Sequence, residues 1–324
     1  MLRESMAALK LSLALEHYDR HLPLIQGQVQ PQDIDLAVEH VSVEQGRHER
    51  MLDEQPWDAC ELSLSSYIMA KARGARLTAI PVFPRRLFSQ SQMYVNTGAG
   101  IRSPKDLIGK RVGLRSFQTT LSVLAKGDLQ HEYGVPLDQV TWITSTSEPV
   151  PFQPPEGVEI QRLPPDKNIE TMLEEGEVDA YFVPRIPRPF VSGSPKVARL
   201  FADSQGEESA YYQRNGFYPI MHVVALKAEV IAEHPWVASS LYNAFEEANQ
   251  IAFRYYDDPN WSYLAWTPQL VNAQQQAMGG NPWANGLEAN RKNLERFLQY
   301  ELDQGLIPQK LEVTDLFPEG ALGT

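Results

Sequence analysis

The sequence predicts an α/β protein made of two lobes with a ligand cleft between them, and three observations carry that prediction. Short apolar runs alternate with helical patterns along the whole chain, as in proteins with mostly parallel sheets. The first third supplies several strands but few helices to cover them. The last third supplies apolar-striped helices and little strand of its own. The chain is therefore expected to form a discontinuous lobe, residues 1–96 plus 219–324, wrapped around an inserted lobe of residues 97–218.

The elements follow in order. Leu9, Leu11, Leu13 and Leu15 alternate with Lys10, Ser12, Ala14 and Glu16, which is a strand period. The stretch resembles the apolar core of an export signal, but Lys10 interrupts it and no small-x-small cleavage pattern precedes Glu16, so a cytoplasmic protein is expected. Further strands are expected at residues 34–40, 57–63, 76–83 and 92–96. Ser103 and Pro104 open a short helix before a strand at 111–115, which begins the second unit. Leu121, Leu124, Ala125, Leu129 and Tyr133 share a helical face that Gly134 ends. Strands at 140–145 and 158–163 flank a proline-rich loop over residues 147–155. Asn168 caps a helix through Glu177, residues 178–183 form a strand, and residues 218–226 return as another. Val237, Leu241, Ala244, Phe245, Ala248, Ala252 and Tyr255 form one apolar stripe, and Leu287, Leu294, Phe297, Leu298 and Leu302 another.

Composition narrows the function. The 324 residues are 43% hydrophobic and 22% charged, enough for two ordinary domains. A formal charge of -12 would repel nucleic acid and anionic membranes alike, so neither is expected as a partner. No apolar run reaches the ~18 residues of a membrane span. The single Cys60 excludes an intrachain disulfide and fits a reducing compartment. A homo-oligomer is compatible with the sequence, which does not specify one.

In open α/β sheets ligands lie beyond the carboxyl ends of the strands, so the segments that follow strands are where functional side chains are sought. The first is His17-Tyr18-Asp19-Arg20-His21. Here His17 is a candidate acid or base, Asp19 its orienting partner, and Tyr18 and Arg20 substrate contacts; the alternative is a solvated turn capping the next helix. His17, Asp19 and His21 also alternate as three metal ligands would, but no other ligand motif accompanies them and no metal is expected. After the third strand, Glu61, Ser63, Ser65 and Ser66 offer hydroxyls and helix amides as an anion cradle. Ser116, Gln118, Thr119 and Thr120 offer the same from the other lobe, although hydroxyls at helix starts are common caps everywhere. Arg85 and Arg86 follow one strand, Arg185 and Arg188 another. A guanidinium matches a carboxylate in a bidentate manner, and at least one of the four is expected to face the cleft. His222 sits in an apolar strand at the return crossing, where a core role and an acid/base role are evenly balanced. No phosphate-binding Gly-rich loop, HExxH, paired CxxC or GxSxG is present.

Several stretches resemble one family. Residues 8–16 followed by His17-Tyr18-Asp19-Arg20, the segment from Cys60 to Tyr67, Ala79-Ile80-Pro81-Val82-Phe83-Pro84-Arg85-Arg86, and residues 103–112 are similar to 4,5-dihydroxyphthalate decarboxylases. So are Leu129-Gln130-His131-Glu132-Tyr133-Gly134-Val135, Tyr218-Pro219-Ile220-Met221-His222 and Pro235-Trp236-Val237-Ala238. The resemblance covers nearly the whole chain and implies the type II periplasmic-binding-protein fold. It also implies a lyase of aromatic (phthalate) degradation that removes one carboxylate from a hydroxylated aromatic diacid without an organic cofactor, as in conversion of 4,5-dihydroxyphthalate to a protocatechuate-type product and CO2. The chain departs from the family pattern at residues 114–120, Leu-Arg-Ser-Phe-Gln-Thr-Thr, in the cleft-forming loop of the second lobe where substrate is selected. On this basis His17 or His222 is the acid/base group, Asp19 its partner, and Arg85, Arg86, Arg185 or Arg188 the carboxylate clamp. The competing readings are a non-catalytic solute-binding protein for an aromatic carboxylate and another small-molecule lyase of the same fold.

Overall fold

The computed structural model describes residues 7–324; residues 1–6 of the expected first lobe lie outside it. In chain order the strands are β1 (Leu9–Leu15), β2 (Ile34–His40), β3 (Ala59–Ser63), β4 (Leu77–Ile80), β5 (Met93–Asn96), β6 (Arg111–Leu114), β7 (Thr141–Thr144), β8 (Ile160–Arg162), β9 (Ala180–Phe182), β10 (Val197–Arg199) and β11 (His222–Lys227). They form two sheets, ordered β2-β1-β3-β11-β4 and β10-β5-β9-β6-β7-β8. The leucine alternation of β1 reads out directly, since Leu11, Leu13 and Leu15 are all buried. Ala14 is buried as well, because β1 lies between β2 and β3 and is covered on both faces. The stretch that resembles a signal core is thus an inner strand.

The apolar stripe of the helix Val237–Arg254 packs on residues 19–25 of the first lobe. Two placements differ from the sequence reading. Strand 92–96 was expected to close the first lobe, but β5 pairs antiparallel with both β9 and β10 in the second sheet. The chain therefore changes sheet between β4 and β5, and returns between β10 and β11. The helix Leu287–Asp303, expected on the first lobe, also packs against the helix Thr120–His131 of the second. Gly127 permits that approach: a Cβ there would lie 2.1 Å from the Tyr300 ring.

β10 and the helices Ser204–Asn215 and Thr267–Met278 had no counterpart in the sequence reading. β10 spans three residues, too few to show a period. The two helices bury almost nothing: Tyr211 and Asn215 in the first, Thr267 in the second. A helix without a covered face leaves no apolar stripe to read.

The two crossings pair with each other. Arg86 and Ile220 form an antiparallel bridge, flanked by hydrogen bonds from Leu87 N to Pro219 O (3.0 Å) and from Met221 N to Arg85 O (2.8 Å). The lobes are joined by a short bonded ribbon at the floor of the cleft.

Candidate active site

The carboxyl ends of β1 and β3 point into the cleft. β11 runs antiparallel to β3, so its first residue, His222, lies opposite Ser63 at the last residue of β3. A cavity of about 510 Å³ opens there between the sheets. His222, Ser63, Arg85 and His48 line it from the first lobe and the crossing; Arg115, Ser116, Gln118, Thr119, Tyr181 and Arg185 line it from the second.

At the base of the first-lobe wall is a buried carboxylate. Glu61 is the middle residue of β3 and has no exposure. A buried carboxylate survives only with partners, and Glu61 has four. It accepts from Glu16 N at 2.9 Å and Tyr18 OH at 3.2 Å, meets His222 Nδ1 at 2.5 Å, and forms an ion pair with Arg47 Nη2 at 3.3 Å. Arg47, itself fully buried, is fixed by bonds from Nε to Glu61 O (3.0 Å) and from Nη1 to Val41 O (2.5 Å).

Burial alone would raise the Glu61 carboxyl. The hydrogen bond with His222 and the charge of Arg47 outweigh it and hold Glu61 well below the usual carboxylate range. Burial dominates at His222 instead and pushes it down to about 4, despite the adjacent carboxylate. The two directions agree with one state: Glu61 is ionised, neutralised by Arg47, and His222 is neutral. An ionised carboxylate only accepts, so His222 Nδ1 carries the ring proton and Nε2 is a free lone pair. Among the described residues Nε2 has no hydrogen-bond partner. His48 stands edge-on to His222, ring centroids 4.9 Å apart.

The second-lobe wall is built of loops. Ser116 Oγ and Thr119 Oγ1 are 2.8 Å apart, and Glu148 holds the turn by accepting from Phe117 N (2.7 Å) and Gln118 N (3.1 Å). At the floor the two lobes touch, Thr120 Oγ1 lying 2.8 Å from Ser63 Oγ and accepting from Ser65 N at 3.3 Å. Arg85 and Arg115, both half-buried, have no carboxylate within ion-pair distance among the described residues, whereas Arg185 pairs with Glu44 across the cleft mouth.

Of the residues singled out from the sequence, the cavity is lined by His222, Ser63, Ser66, Arg85, Ser116, Gln118, Thr119, Thr120 and Arg185. Gln118 has its amide committed to Val150 at both ends. Tyr18 and Glu61 stand behind His222. The others are elsewhere. His17 is exposed and stacks on His40. Asp19 accepts from Tyr256 OH and Arg20 N. Arg20 bonds to Pro84 O and lies on the rings of Tyr18 and Trp283. Arg86 is buried, donating to Tyr218 O, Ala284 O and Asn290 Oδ1. Ser65 is wholly buried, and Arg188 is exposed beside Glu170 in a separate groove. His21 is buried, which pushes it down to about 3, and among the described residues no three His, Cys, Asp or Glu side chains converge as a metal set. Sequence reasoning missed Arg47, His48 and Arg115. The helix Arg47–Asp53 follows β2, so the same strand-end rule would have found the first two.

A 4,5-dihydroxyphthalate decarboxylase of Comamonas testosteroni is 35% identical over 330 residues, 98% of each chain. The chain belongs to the 4,5-dihydroxyphthalate decarboxylase family. These are carboxy-lyases, and a Pseudomonas putida member is 35% identical over 220 residues, 64% of this chain and 83% of that one. The family model "NMT1/THI5 like" matches residues 32–151. The solved aliphatic sulphonate binding protein SsuA of Escherichia coli superposes with a TM-score of 0.55 at 13% identity, covering 97% of this chain and 93% of that one. The desulfurization enzyme DszB superposes at 0.53 with 14% identity, covering 97% and 98%. The fold is the two-lobed type II periplasmic-binding-protein fold. No helix among the described residues is long and apolar enough to cross a membrane.

Proposed function

We propose that this chain decarboxylates a hydroxylated aromatic diacid of the 4,5-dihydroxyphthalate type, with His222 as the acid/base group. The observation that carries the proposal is the Glu61–His222 contact of 2.5 Å, which leaves His222 Nε2 as a base beside the cavity. Arg85 and Arg115 are the carboxylate clamps. Two guanidiniums without acidic partners suit a substrate with two carboxylates.

The chemistry uses the ring hydroxyl. His222 Nε2 takes the proton of the hydroxyl para to the departing carboxylate. The phenoxide electron pair moves into the ring, and the carbon bearing the carboxylate takes up a proton to give a dienone. The bond to the carboxylate then breaks, CO2 leaves, and the electron pair restores the aromatic phenoxide. His222 returns its proton to that oxygen. The sum consumes one proton per CO2. Tyr181, whose burial raises its phenol, and Glu170 are the titratable second-lobe groups that can relay it.

The test is CO2 release from 4,5-dihydroxyphthalate by the purified protein, with binding followed in parallel by calorimetry. Activity that falls by about 10²–10⁴ in His222→Ala, with binding retained, is the expected result. Tight binding without CO2 release would replace this reading with a solute-binding protein. We assign the reaction to the cytoplasm. In support, the apolar stretch near the N-terminus is the buried inner strand β1, which export processing within it would remove. Fractionation of the native host tests this, a processed periplasmic form being the contrary outcome.

A further inference from the structure

We infer that His48 is a specificity-determining residue that hydrogen-bonds a second ring hydroxyl, next to the one His222 engages, so the site selects vicinal dihydroxy rings. The inference deepens the proposed function and rests on it for the aromatic ligand. It starts from an unpaired ring: His48 is 8% exposed and lines the cavity, yet among the described residues neither of its ring nitrogens has a hydrogen-bond partner, and only Nε2 is shut off from solvent. An imidazole left unpaired on the wall of a ligand cavity marks a place where the ligand supplies the partner.

The position of the ring limits what that partner is. His48 and His222 stand edge to face with centroids 4.9 Å apart. Both belong to the first lobe, and Arg47, next to His48, is fixed through Glu61 to the same network. Two neighbouring oxygens of one ring are about 2.7 Å apart, the ordinary separation of oxygens in mutual hydrogen-bond contact, so a pair of adjacent imidazoles can each meet one of them. His48 is held neutral, burial and the neighbouring His222 both lowering it. A neutral imidazole offers one donor and one acceptor, which suits a hydroxyl and gives no advantage to a third carboxylate. Arg85 and Arg115 remain for the two carboxylates.

The experiment compares 4,5-dihydroxyphthalate with 4-hydroxyphthalate, which keeps a hydroxyl para to one carboxylate and lacks only its neighbour. Kd by calorimetry and kcat/KM for CO2 release are measured for the wild type, His48→Leu, His48→Phe and His48→Gln. The wild type should prefer the dihydroxy acid by about 10–100-fold, the penalty for leaving a buried group unpaired. His48→Leu and His48→Phe should bring that ratio close to one; His48→Phe keeps the ring edge against His222 and loses only the nitrogens. His48→Gln should keep part of the preference. An unchanged ratio in folded His48→Phe, or a wild type that does not discriminate, overturns the inference. The Kd ratio separates the two readings: discrimination in binding without any CO2 sinks the decarboxylase reading and leaves the His48 assignment standing.

Discussion

The first-lobe wall of the cleft is a closed network and the second-lobe wall an open one. On the first, Glu61, Arg47, His222 and His48 are each at least nine-tenths buried and joined to one another. On the second, Arg115 and Thr119 are half-buried and held by a loop that Glu148 ties down. The difference teaches how the labour is divided. Groups whose proton state must be fixed before substrate arrives sit where burial and neighbours set it, and groups that only grip substrate sit where solvent reaches them.

The comparison is broken most severely at Glu61. Glu61→Gln replaces the acceptor-only carboxylate that fixes the His222 tautomer with an amide that can donate to Nδ1 instead, and should lower kcat by about 10²–10⁴ with substrate binding largely kept. Next comes Arg47→Ala, which strands a buried carboxylate. Thermal denaturation should report a loss of about 3–5 kcal/mol, as for other buried pairs broken on one side. If Arg47→Ala costs no more than an exposed substitution, the closed-network description is wrong. Arg115→Met on the open wall should leave the fold intact and weaken binding of the diacid by about 2 kcal/mol, read in Kd, since a clamp gone from one end leaves one carboxylate unpaired. The smallest effect belongs to Glu44→Ala. Its pair with Arg185 joins side chains 49% and 68% exposed, so stability should change by less than about 1 kcal/mol.

Acid sharpens the contrast between the walls. Unfolded His222 takes up its proton near 6.5, but the folded residue does so only at about 4. Between those values the unfolded chain binds more protons, so stability falls as the pH is lowered through that window. Glu61, held below its ordinary 4.5 by its partners, adds a loss that continues at lower pH. The acid limb of kcat/KM should lie near 4, not near 6.5, and His222→Gln should flatten the stability loss between those values. A limb at 6.5 would mean that His222 is not the base.

Much of this was legible in the sequence where a period or a strand end marked it. β1 was legible from its alternation, and Ser63, Ser116, Thr119 and His222 from their places after strands or at the return crossing, whereas Glu61, read as part of an anion cradle, is buried behind His222 and lines no cavity wall. The histidine chosen from the first loop was not separable from His222 by pattern alone: His17 follows its strand as properly as any cleft residue, but its ring turns out to His40. Arg85 and Arg86 show the same limit. Successive side chains of an extended segment face opposite ways, so one of two adjacent arginines lines the cavity and the other is spent on backbone carbonyls inside. Their order depends on the register against Ile220, a contact distant in sequence. His48 escaped because its helix is polar in composition and becomes buried only against β3 and β11. The placement of β5 was lost for a similar reason: a four-residue apolar run carries no mark of which sheet it joins.

The bonded ribbon between the lobes has one more effect. Arg85 lies in one of its two paired segments and His222 follows directly on the other, with Met221 N and His222 N both donating to Arg85 O. Those two groups stay with the first lobe, at the axle about which the second lobe would turn. Any swing of the lobes would carry Arg115 and Thr119 toward or away from a bound ring, yet leave the spacing between the base and its nearest clamp unaltered. Such a site can admit and expel ligand by rotation while its base and one clamp keep their spacing throughout the cycle.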